Sequence, residues 1–172
     1  GYWFIGYDDI TVNFNFYPKK RNPNTGKYDV VNIISMFHFI SCRSVKLVDD
    51  IPEPFELCAP IEVTKDIPHF YFGTTNPKRI VKADSVVLSA TTIFNANIIE
   101  SPSVKVNPSS YPVIKEMKIT ESVEINSASL TLNKCKLSDN IKINMNKETE
   151  WPQITLIDTE FNPQSISIDL MP

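Results

Sequence analysis

Glycine is rare in this chain, at four residues in 172, and histidine rarer, at two. Four scattered glycines cannot assemble a P-loop or a G-x-G-x-x-G turn, so the motifs of nucleotide-dependent chemistry are missing. The histidines lie in Met36-Phe-His-Phe-Ile40 and Ile67-Pro-His-Phe-Tyr71, away from any G-x-S-x-G or H-E-x-x-H pattern. Among such apolar neighbours His38 and His69 read as core or strand-edge residues, not as a base or metal ligands. Three cysteines, Cys42, Cys58 and Cys135, show no C-x-x-C spacing and form an odd set, which supports neither a zinc site nor a disulfide framework. They read as buried small apolar side chains, with a Cys42–Cys58 bridge left open. No metal and no cofactor is expected.

Positive charge is not in excess either: the formal net charge is -3, which argues against nucleic acid as a partner. No apolar run approaches the roughly 20 residues of a membrane-spanning helix, and no charged-then-apolar signal segment opens the chain, so no membrane insertion is expected. The chain starts Gly1-Tyr2-Trp3-Phe4 and stops at Leu170-Met171-Pro172, which reads as a processed product or an excised piece.

What is present is a β-rich pattern. Hydrophobic residues make up 42% and charged ones 22%, ordinary values for a chain that folds. Over residues 1–40, Ile10, Val12, Phe14 and Phe16 alternate with Thr11, Asn13 and Asn15, the period of a half-buried strand. Turn formers follow in Pro18 to Lys27, and Val30 to Phe39 resumes the β-rich composition. This segment is expected to form a β-hairpin that caps what comes after it.

Residues 41–172 repeat. The element recurs at Ser44-Val-Lys-Leu47, Pro60-Ile-Glu-Val63, Ser85-Val-Val-Leu88, Ser103-Val-Lys-Val106, Ser122-Val-Glu-Ile125, Asn140-Ile-Lys-Ile143 and Ser165-Ile-Ser-Ile168. Its starts are separated by 16, 25, 18, 19, 18 and 25 residues. Such a period is the sign of stacked coils. Val113 to Ile125 aligns with Thr131 to Ile143 at a shift of 18 without a gap, and Thr155 to Ile168 follows with one inserted residue. Stacked parallel strands lie about 4.8 Å apart, so aligned charges become neighbours and should alternate in sign. They do in Glu116, Lys134, Asp158 and in Lys105, Glu124, Lys142; Lys118, Lys136, Glu160 sets two lysines together. Prolines 60, 102, 112, 152 and 163 fall between apolar runs, at expected corners or strand ends, and with so few glycines the corners must use Asn, Ser, Asp and Pro.

The triplets resemble the coils of parallel β-helix proteins, a group that includes adhesins, autotransporter passengers, tailspikes and pectate-lyase-like enzymes. The likeness covers residues 44–168 and is one of fold. Unequal coils favour the right-handed form. The recurrence of Val113, Ile119, Ile125, Thr131, Leu137 and Ile143 every six residues keeps the left-handed form as the alternative, although its frequent glycine is replaced here by Thr120, Asn126 and Ser138. The resemblance implies a binding stalk, an enzyme acting on acidic polysaccharide, or an acyl transferase, and fold does not choose among these.

Site candidates are sparse. Glu121 and Asp139 align on neighbouring coils, where they could share a proton or a cation, yet a solvated corner explains them as well. Asp8-Asp9 and Asp49-Asp50 read as loop pairs. Lys19, Lys20, Arg21 and Lys27 read as a charged hairpin tip. Tyr2, Trp3, Phe4, Tyr7, Phe14, Phe16 and Tyr17 read as a small core or end cap before a carbohydrate platform. Thr91, Thr92, Thr131 and Thr155 make no regular file of threonines. No catalytic residue is assigned, and the binding residues are unknown at this level. The expected function is non-catalytic: a structural or adhesive segment of a surface, secreted or virion protein that meets a protein partner, a glycan or further copies of itself. The alternatives are a polysaccharide-active lyase or hydrolase, or an intracellular scaffold or assembly factor.

Overall fold

The computed structural model describes residues 2–13, 20–21, 23–24, 28–29, 37–49, 56–63, 67–74, 80–89, 91–96, 100–127, 129–146, 148–149 and 152–171. Among them are eighteen strands and no helix. In chain order these are β1 (Tyr2–Ile5), β2 (Asp9–Asn13), β3 (Lys20–Arg21), β4 (Tyr28–Asp29), β5 (Phe37–Ile40) and β6 (Ser44–Asp49). Then come β7 (Glu56–Val63), β8 (Ile67–Thr74), β9 (Ile80–Leu88), β10 (Thr91–Ala96), β11 (Glu100–Val106) and β12 (Val113–Lys115). The last are β13 (Lys118–Ile125), β14 (Ser129–Asn133), β15 (Lys136–Leu137), β16 (Lys142–Asn146), β17 (Gln153–Ile157) and β18 (Ser167–Met171).

The protein is all-β, and its sheets are mostly parallel. A seven-stranded sheet runs β17-β14-β12-β10-β8-β6-β2. A nine-stranded sheet runs β18-β16-β13-β11-β9-β7-β4-β3, with β15 beside β13, and β1 pairs β5 in a separate two-stranded sheet. From β6 onward the chain alternates between the two large sheets, and each strand lies parallel beside the one laid down an alternation earlier. Such pairings need no tight turn but do need buried faces, which period-two alternation supplies. Ile61, Val86, Val104, Val123 and Ile143 pair successively in one inward file of the nine-stranded sheet. Val45, Phe70, Phe94, Ile114 and Leu132 do the same in the seven-stranded sheet. All ten are buried, and the Phe70 and Phe94 rings stack at 6.1 Å.

Registers follow the repeat with two corrections. Val113 pairs Thr131 and Ile119 pairs Leu137, at the shift of 18, and Ile143 pairs Ile168 after the single insertion. Val123, however, pairs Ile143, not Ile141, so the shift grows to 20 between β13 and β16. Glu124 accordingly faces Asn144 instead of Lys142, while Lys105 does meet Glu124 at 3.5 Å. The two extra residues are taken up in the turn around Ser138–Ile141, where Asn140 has φ 62°. A slip of two leaves every side chain on its own face, so alternation cannot detect it. The second correction concerns Ser44–Leu47, which pairs His69–Phe72 in the seven-stranded sheet, whereas the triplets from Pro60 onward belong to the other.

Register breaks cross the nine-stranded sheet between Ala59 and Pro60 and between Ser101 and Ser103. Pro60 and Pro102 therefore lie inside strands at irregularities, where a missing donor is tolerated, and not at the corners expected of them. Corners use residues of positive φ: Ser41, Ser109, Asn140 and Asp158, but also Glu116 and Lys134.

In the first 40 residues the described hairpin is short, Lys20 opposite Asp29 and Arg21 opposite Tyr28. The longer strands around it do not pair with each other as expected. Asp9–Asn13 lies parallel to Ser44–Val48, and Phe37–Ile40 lies parallel to Tyr2–Ile5. Phe14, Phe16, Tyr17, Lys19, Lys27 and residues 30–36 fall outside the described part. Cys42 is free and buried, its thiol donating to the Phe4 and Ile40 carbonyls, so the Cys42–Cys58 bridge is not formed.

Candidate functional site

Alternation that turns Val45, Phe70, Phe94 and Ile114 inward must turn their neighbours outward. Register then stacks these neighbours into two files across β6, β8, β10 and β12. Ser44, His69, Ile93 and Val113 form one, and Lys46, Tyr71, Asn95 and Lys115 form the other. Between the files runs a groove of about 540 Å³. A smaller hollow of about 260 Å³ continues it toward β2, past Thr11 and Asp9, and shares Ser44 and Lys46 with it. The groove therefore lies along the stacking direction, across strands, and is lined by side chains from four separate strands.

Its chemistry is that of hydrogen-bond donation around an apolar patch. Lys46 and His69 are exposed, while Tyr71, Ile93, Asn95 and Lys115 are half-buried. Burial holds the Tyr71 phenol above its ordinary range, and the nearby Glu116 carboxylate adds to the effect. The Tyr71 hydroxyl is a hydrogen-bond donor and acceptor on the groove wall. Three strand spacings separate Lys46 from Lys115, roughly 14 Å.

Sequence reasoning missed this groove because it assigned His69 to the core or a strand edge. The structure places His69 on the solvent face of β8, an interior strand of its sheet. His38 likewise faces outward, stacked on the exposed Trp3 ring at 4.3 Å. The available signal was the phase of the alternation: Phe70 and Phe72 claim the core, which leaves His69 and Tyr71 no other side.

The other candidates do not line the main groove. Glu121 and Asp139 are both exposed at the line where the nine-stranded sheet breaks register, and the Asp139 carboxylate accepts a bond from Asn162 Nδ2 at 3.4 Å. Asp9 is not in a loop but opens β2, 3.9 Å from Arg43, and Asp49 closes β6. Lys20 and Arg21 form β3. The N-terminal aromatics divide, with Phe4 stacked on Phe39 at 5.4 Å while Tyr2, Trp3 and Tyr7 are exposed. Thr131 and Thr155 pair, whereas Thr91 is buried. Among the described residues no group of three or more His, Cys, Asp or Glu side chains converges on a metal-sized site.

One feature of the corners went unread in the sequence. Asn107, Asn126 and Asn146 each follow an inward file residue of the nine-stranded sheet, and Asn146 Nδ2 donates to Asn126 Oδ1 at 3.4 Å. Asn107 Nδ2 donates to Ser89 Oγ at 2.8 Å. No protein-family model, curated protein or solved structure matches the chain.

Proposed function

We propose that the chain is a right-handed parallel β-solenoid segment whose function is non-catalytic: it presents a binding face, the outward surface of the seven-stranded sheet, to a glycan or a protein partner. Alternation of the chain between two parallel sheets supports the solenoid. Unequal steps support right-handed winding, since successive strands of the nine-stranded sheet advance by 25, 18, 19, 20 and 25 residues. The β3–β4 pair at the end of that sheet suits an N-terminal cap. We place the segment on a surface, secreted or virion protein, where such a face meets its ligand from solvent.

The observation that carries the reading is the groove, with donors stacked on one side of an apolar patch. Tyr71 and Asn95 offer neutral hydrogen-bonding groups to the hydroxyls or amides of a ligand. The test is a glycan array probed with the purified chain, beside a Tyr71→Ala, Asn95→Ala double variant of unchanged thermal midpoint. Binding that weakens in the variant is expected. Cleavage of a bound glycan would transfer the protein to the enzymes, and binding indifferent to the variant would move the site elsewhere.

A further inference from the structure

The ligand class can be narrowed from the groove's own charges, taking as given its role as the binding face. Lys46 and Lys115 are the lysines that line it, and they stand at opposite ends of one file with Tyr71 and Asn95 between them. Lysine brings point charges without acceptors, Tyr71 and Asn95 bring neutral donors, and Ile93 brings an apolar contact. We propose that the groove takes an acidic oligosaccharide laid along the stack, with carboxylates at the two lysines and ring hydroxyls at Tyr71 and Asn95. A glycan suits the groove better than an acidic peptide. Its middle offers isolated polar side chains and one aliphatic surface, whereas a peptide strand seeks a free sheet edge, and β8 and β10 are paired on both sides.

The two lysines are not equivalent. Glu116 adjoins Lys115 and lies close enough to Tyr71 to raise its pKa, so its carboxylate opposes an incoming anion at that end. Asp9 borders the hollow at the other end but is already paired with Arg43 at 3.9 Å. Lys46 therefore carries most of the attraction for the acid groups, and Glu116 limits it.

The experiment is calorimetric titration of the whole chain with an alginate hexasaccharide, beside a neutral mannan hexasaccharide of the same ring skeleton and a short polyglutamate. Alginate should bind in a salt-sensitive manner. Lys46→Gln should weaken it by about tenfold, the scale of one charged hydrogen bond, and Lys115→Gln by less. Glu116→Gln should strengthen it and also lower the Tyr71 pKa, read by ultraviolet titration, a change that a purely structural role for Glu116 would not couple to alginate affinity. Mannan binding as tightly as alginate would leave the groove a glycan site and overturn its acid preference. Polyglutamate binding as tightly would overturn the sugar. Failure of all three ligands to bind, or a Lys46→Gln chain that binds alginate unchanged, would overturn the proposal outright.

Discussion

Leu137 is 4% exposed and stands beside Ile119 in an inward file. An aspartate there would be a buried charge without a partner, so Leu137→Asp should cost at least about 3 kcal/mol in urea denaturation. Cys135 gives a pH-dependent prediction. Its thiol is buried and donates to the Ile114 carbonyl at 3.4 Å, and burial above all raises its pKa. Below about pH 8.5 both folded and unfolded chains keep this proton, and the contribution to stability is complete. As the pH climbs past that value the unfolded chain loses the proton first, the folded state then holds more protons, and stability falls. Denaturation midpoints should therefore decline more steeply with rising pH in the unmodified chain than in Cys135→Ala. Equal slopes would mean that the thiol titrates as it does in solvent.

Single corners set the shape of whole elements. Glu116, Lys134 and Asp158 have φ of 59°, 54° and 47° and occupy the same place, directly after β12, β14 and β17. The Glu116 amide donates to the Asn133 carbonyl and that of Lys134 to the Ile157 carbonyl, which ties each left-handed residue to the strand beside it. A β-branched side chain is poorly accommodated at such φ, while asparagine adopts it readily. Lys134→Val should cost about 1–2 kcal/mol by thermal denaturation, and Lys134→Asn should stay within about 0.5 kcal/mol of the parent. Equal costs would show that the corner takes its shape from its neighbours alone. The column Glu116, Lys134, Asp158 was legible as alternating charge, but its backbone role was not, since neither lysine nor glutamate is a turn signal. Register shows a similar limit. With the shift of 18, Asn144 would lie beside Asn126, whereas the fold puts Asn146 there. Both choices supply an asparagine to the ladder, so composition had no means of preferring one.

At the scale of the whole molecule, β18, the end strand of the nine-stranded sheet, differs from the strands inside it. Ile168 and Leu170 extend the inward files of Ile143 and Met145, yet they are 58% and 66% exposed. Leu132 occupies an interior strand and is fully buried. Leu170→Ala should therefore cost less than about 1 kcal/mol and Leu132→Ala about 2–5 kcal/mol, compared by chemical denaturation of the two variants. Equal losses would show that another surface covers Leu170 in solution. The sequence alone determined that the chain is β-rich, that its strands bury one face, and which residues become neighbours where the shift of 18 holds, because alternation and repetition are properties of order along the chain. Only the tertiary structure decided which sheet Ser44–Leu47 joins, which turn takes up the two extra residues, and that Lys46, Tyr71, Asn95 and Lys115 form one file. These facts rest on contacts between residues 20 or more positions apart, and a shift of two in any of them changes every neighbour while leaving the pattern of alternation intact.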